Sequence, residues 1–81
     1  MLYKIPILLT PQPEGGFTVT SPLFPELITE GDSMPDVIAN VRDAFTSVLE
    51  LYEDFGKPLP NGLEIIDQKT PALIETIIST S

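Results

Sequence analysis

The stretch from Ser33 to Pro60 constrains this chain more than any other. Met34, Val37, Ile38, Val41, Ala44, Phe45, Val48, Leu49, Tyr52 and Phe55 recur at three- and four-residue steps, which puts them on one face of an α-helix. Asp36, Asn40, Asp43, Ser47, Glu50 and Asp54 fall on the opposite face. Ser33 is a natural N-cap, Pro35 suits the first turn, and Asp36 stands where a capping box places its acid. Gly56 is a left-handed stop, and Pro58 and Pro60 keep the helix from resuming. The pattern predicts one helix over Met34 to Phe55. Everything else must pack against it.

The flanking segments read as strands. Leu2 to Leu9 is rich in branched residues, with Tyr3, Ile5, Ile7 and Leu9 sharing one face and Leu2, Lys4, Pro6 and Leu8 the other. Pro6 cannot donate to a ladder, so the run is expected to be unpaired on one side there or to carry a bulge. Pro11 to Gly16 is a turn cluster, and Phe17 to Ser21 alternates with period two. The two runs form a hairpin. Leu27 to Glu30 is a third strand, and Gly31-Asp32 turns the chain. Beyond the helix, Leu63 to Ile66 and Pro71 to Ile78 are isoleucine-rich and read as strands, with a short helix at Ala72 to Ile78 as the alternative. The sum is one α+β domain over residues 1–81: a small mixed sheet with one long helix on one face, in two layers.

Composition removes several classes of function. The chain has 81 residues with neither cysteine nor histidine. Disulfides and thiolate metal sites are therefore excluded, and so are histidine bases and imidazole ligands. Four basic residues against twelve acidic ones give a net charge of -8. Such a surface repels phosphate backbones and attracts basic partners. No apolar run approaches the roughly 20 residues of a membrane span. The Met1-to-Pro6 start has too short an apolar stretch for a signal peptide. The expected location is cytoplasmic, with no cofactor.

Three stretches carry a family resemblance. They are the Tyr3-to-Ser21 hairpin with its Gly-Gly turn, the run Pro22-Leu23-Phe24-Pro25-Glu26-Leu27-Ile28-Thr29-Glu30-Gly31-Asp32, and the helix from Ser33 closing on Tyr52-Glu53-Asp54-Phe55-Gly56-Lys57-Pro58-Leu59-Pro60. Together they resemble the HicB-type antitoxins, the partners of HicA toxins. The resemblance implies a β-β-β-α-β fold related to a truncated ribonuclease-H-like fold. It also implies a non-catalytic role: binding and occluding a small basic toxin that cuts messenger RNA. Many family members add a C-terminal DNA-binding segment that represses the promoter. Here 21 residues follow Pro60, and Lys69 is their one basic residue. They fit neither a helix-turn-helix nor a basic ribbon-helix-helix, so no separate DNA-binding domain is expected. The alternative to a toxin partner is an orphan module that only assembles with itself.

Catalysis is not expected. Ribonuclease-H-like chemistry needs carboxylates converging on two metal ions about 4 Å apart. Leu2 to Leu9 contains no acid, and Glu30 and Asp32 lack partners at metal-site spacing. Ser33 with Asp36 is a helix cap rather than a nucleophile pair, and Gly15-Gly16 is a hairpin turn rather than a phosphate cradle. Tyr3 and Tyr52 are expected in packing roles.

The acids lean towards binding. Glu30, Asp32 and Asp36 suit the positive end of the helix dipole. Glu50, Glu53 and Asp54 sit at the negative end, where such charges are unfavourable, and Lys57 is the one cation close in sequence. The expected partner-binding residues are Glu50, Glu53 and Asp54, with Glu30 and Asp32, facing a basic surface. The Leu27-to-Glu30 strand and the C-terminal strand are candidate edges for strand addition. The excess of C-terminal leucine and isoleucine predicts a homodimer or larger homo-oligomer.

Overall fold

The computed structural model describes residues 2–76, 78 and 80. Its elements run β1 (Leu2–Lys4), β2 (Leu8–Pro11), β3 (Phe17–Thr20), β4 (Ile28–Gly31), α1 (Met34–Asp54) and β5 (Glu64–Ile66). The helix begins and ends where capping chemistry dictates. Ser33 is extended (φ −139°, ψ 169°) and its Oγ accepts from the Asp36 N–H at 3.4 Å. At the other end Gly56 adopts φ 61°. The Gly56 N–H donates to the Glu53 carbonyl (3.1 Å) and the Lys57 N–H to the Tyr52 carbonyl (2.8 Å), the paired bonds of a Schellman motif.

The first expected strand is two strands. Pro6 interrupts it, and the halves join different sheets: β1 pairs with β5, and β2 heads the order β2-β3-β4. Ser21 Oγ donates to the Pro6 carbonyl at 2.9 Å and accepts from the Leu23 N–H at 3.2 Å, so the break is tied down from the far end of the hairpin. The expected single mixed sheet is therefore replaced by two antiparallel sheets. The facing holds through the break: Tyr3, Ile5, Ile7 and Leu9 are half-buried while Leu2, Lys4, Pro6 and Leu8 are exposed.

Each half of α1 has its own floor. Near its start the helix crosses β4 so closely that a Cβ on Gly31 would stand 2.7 Å from the Val37 nitrogen. Further along, Phe45, Val48 and Tyr52 pack on Phe24 and Leu27 from the Pro22–Leu27 segment. The rings of Tyr3, Phe45, Phe24 and Tyr52 form a chain of edge-on contacts at 5.2, 5.4 and 5.6 Å between centroids. Phe24, Leu27, Val19 and Val37 are completely buried. The buried stripe is narrower than the apolar pattern suggests. Ile38 and Phe55 are more than half exposed.

The C-terminal expectation is corrected. Residues 71–76 are neither strand nor helix, and Ile77 lies outside the described residues. A turn over Asp67 to Thr70, closed by Asp67 Oδ1 accepting from the Lys69 N–H at 2.9 Å, leads the chain off β5. Pro71 then offers no donor to a ladder. Leu73, Ile74 and Ile78 are exposed.

Candidate functional site

The acids expected at a partner surface separate into two groups. Glu50, Glu53 and Asp54 are exposed on the last turns of α1, where three- and four-residue spacing puts them on one side. Glu30 and Asp32 are exposed at the opposite end, just before the helix begins. At 1.5 Å per residue the groups lie about 25 Å apart along the axis. One patch does not contain both.

The last turn of α1 has no basic residue. Lys57, the cation expected to offset the three acids, points elsewhere. Its Nζ lies 3.6 Å from Glu26 Oε1 and 4.6 Å from the centre of the Tyr52 ring. Tyr52 completes the cluster: its hydroxyl donates to the Glu26 carboxylate, with oxygens at 2.8 and 2.9 Å. That bond raises the Tyr52 pKa above its ordinary value, helped by burial and by the negative charge of Glu26 and opposed by Lys57. Glu26 therefore holds both the buried tyrosine and the nearest cation. Among the described residues, Glu50, Glu53 and Asp54 have no ion-pair partner. Sequence reasoning missed Glu26, because nothing in Pro25-Glu26-Leu27 marks it as the receptor of a helix residue 26 positions on.

At the other end, Glu30 and Asp32 line a shallow recess of about 230 Å³ with Glu14 from the hairpin turn. The Glu30 main chain is also engaged, its carbonyl accepting from Asn40 Nδ2 at 2.7 Å. Among the described residues no three acidic side chains are grouped closely enough to hold a metal ion. A larger groove, about 1270 Å³, runs beside the start of α1 and is lined by Ile5, Ile7, Ile38 and Arg42, with Ile74 and Ile78 from the tail. No helix among the described residues is long and apolar enough to cross a membrane.

No protein-family model matches the chain. Curated relatives do. Antitoxin HicB of Escherichia coli (strain K12) is 32% identical over 66 residues, covering 79% of this chain and 48% of that protein. Antitoxin HicB 1 of Photorhabdus laumondii subsp. laumondii is 37% identical over 68 residues, covering 79% of this chain and 44% of that protein. The chain spans about half the length of the curated relatives it matches.

Proposed function

The chain belongs to the HicB-type antitoxin family, and from that membership we propose that it binds and occludes a small basic HicA-type toxin. The action is non-catalytic and uses one domain. The acidic end of α1 meets the positive surface with which the toxin grips RNA and competes for it. Glu50, Glu53 and Asp54 are the principal contacts, and Glu30 and Asp32 form a secondary patch. A truncated ribonuclease-H-like frame carries both. The chain works in the cytoplasm and does not itself bind nucleic acid.

One observation carries this reading. Lys57 is engaged by Glu26 and Tyr52, so three carboxylates stand uncompensated at the negative end of the helix dipole. Their arrangement costs the free protein about 0.3–1 kcal/mol per charge at low salt. A basic partner removes that cost on binding. The test is calorimetric titration of a HicA-type toxin with the Glu50→Gln, Glu53→Gln, Asp54→Asn triple variant. The reading requires weaker binding than wild type at low salt; unchanged affinity removes the three residues from the interface.

A second reading is favoured by the exposed apolar side chains. Leu8, Ile28, Leu73, Ile74 and Ile78 each leave more than half of their surface open. They fit self-association into a homodimer, with or without a toxin.

A further inference from the structure

The ladder of the three-stranded sheet shows which of its edges is open. The Gln12 N–H donates to the Gly16 carbonyl at 3.0 Å, so Gln12 and Gly16 are a hydrogen-bonded pair. Antiparallel pairs alternate. With Pro11 opposite Phe17, Thr10 opposite Thr18, Leu9 opposite Val19 and Leu8 opposite Thr20, the main chains of Leu9 and Pro11 face away from β3. This explains how a proline sits in β2: its missing donor falls on the side with no ladder. The same alternation carried through β3 turns the Glu30 main chain outward on β4. There the helix covers it, with Asn40 Nδ2 bonded to the Glu30 carbonyl. The Glu30 carbonyl on the β4 edge is thus taken, and residues 71–76 are not a strand. Among the described residues the outward main chain of Leu9 and Pro11 on β2 has no hydrogen-bond partner, which makes β2 the more open edge.

We propose that the β2 edge is the self-association surface, pairing antiparallel with β2 of a second copy about a two-fold axis at Leu9. Main-chain geometry is self-complementary in that register. Leu9 N–H and C=O exchange bonds with Leu9 of the second copy, and the Ile7 N–H meets the carbonyl of Pro11. The absent Pro11 donor ends the ladder there, and because the two-fold uses the same edge of both copies, the contact closes as a pair. Charge favours the same place. Residues 1–13 contain no acid, although the chain carries twelve elsewhere. β2 itself therefore brings no negative charge to a contact between two copies at −8 each. On the solvent face the exposed Leu8 stands opposite Thr10 of the second copy and extends the apolar row Leu8–Thr20–Ile28 across the axis. The surface rests on the self-association reading above and is independent of the toxin reading.

Light scattering at about 100 µM, where mass action favours a pair, should give twice the chain mass for the wild type. The Leu8→Asp, Thr10→Asp double variant places like charges opposite one another and should raise the dimer dissociation constant by about tenfold or more. The Leu8→Lys, Thr10→Lys variant should do the same, and an equimolar mixture of the two should recover the dimer mass. That recovery separates loss of contact from misfolding. In the wild-type dimer the Leu9 amide should exchange slowly with solvent. A monomeric wild type overturns self-association and the edge together. A dimer that survives both variants, a mixture that stays monomeric, or a fast-exchanging Leu9 amide overturns the edge alone.

Discussion

The Tyr52 hydroxyl donates to the Glu26 carboxylate at 2.8 Å, joining the last turns of α1 to the loop before β4. The bond fixes the orientation of a ring that is 4% exposed and packed edge-on against Phe24. It also orients the carboxylate that holds Lys57. One loop acid thus closes the core at the helix end and keeps Lys57, the cation nearest in sequence, from the helix acids.

That bond predicts a pH dependence. The Tyr52 pKa is raised in the folded state, first by the hydrogen bond to Glu26. A raised pKa contributes stability that is complete below the unfolded tyrosine value of about 10 and is lost as pH rises through the folded value. Thermal melts should therefore fall above about pH 10, more steeply for wild type than for Tyr52→Phe. Tyrosinate absorbance should show one group titrating late, and that late step should vanish in the variant. Equal alkaline slopes in the two proteins would contradict the assignment.

Glu26→Gln should keep the fold and release Lys57. The Lys57–Glu26 ion pair is more than half exposed on its lysine side, so its own loss costs at most about 1 kcal/mol. The larger effect is on charge placement. A freed Lys57 can approach Glu53 and Asp54, so toxin binding should weaken at low salt. Removing the lysine as well, with Lys57→Gln, should restore it. Binding indifferent to both changes would show that the position of Lys57 is immaterial.

Gly31→Ala should destabilise the domain. Its new methyl would meet the Val37 nitrogen at 2.7 Å and Val37 Cγ2 at 2.9 Å, and the helix main chain cannot yield as a side-chain tip can. Overpacking of this kind costs about 1–3 kcal/mol, read as a lower urea midpoint. A midpoint equal to wild type would mean that α1 shifts freely on β4.

Phe24→Ala should be more severe. Phe24 is fully buried and makes edge-on contacts with both Phe45 and Tyr52. Removing a buried ring costs about 3–5 kcal/mol, a large share of the total for so small a domain. Loss of cooperative thermal unfolding is expected, with Phe24→Leu retaining it.

Much of the frame was legible in the sequence. Ser33, Pro35 and Gly56 act through local geometry, so the helix bounds followed from residue type alone. The facing of Tyr3, Ile5, Ile7 and Leu9 followed from period two. What escaped were the relationships between distant segments. Pro6 announced a defect, but whether it was a bulge or a change of sheet depended on Ser21, 15 residues away. Pro71 to Ile78 had strand composition, and composition does not supply a partner edge. In the candidate site, the exposure of Glu50, Glu53 and Asp54 on one side of the last turns of α1 was readable from their spacing. The role of Glu26 was not, since it exists only once the loop folds against Tyr52. Glu30 and Asp32 were grouped with the helix acids by charge alone, and the length of α1 separates them.

The mechanism proposed for toxin binding is electrostatic occlusion of a basic partner by the uncompensated end of α1. Its most direct test is the dissociation constant for a HicA-type toxin measured from low to high salt, for wild type and for the Glu50→Gln, Glu53→Gln, Asp54→Asn variant. Wild-type affinity should fall steeply with salt, the variant should start weaker, and the two should converge when the charges are screened. Parallel salt dependences, or binding that persists undiminished at high salt, would contradict it.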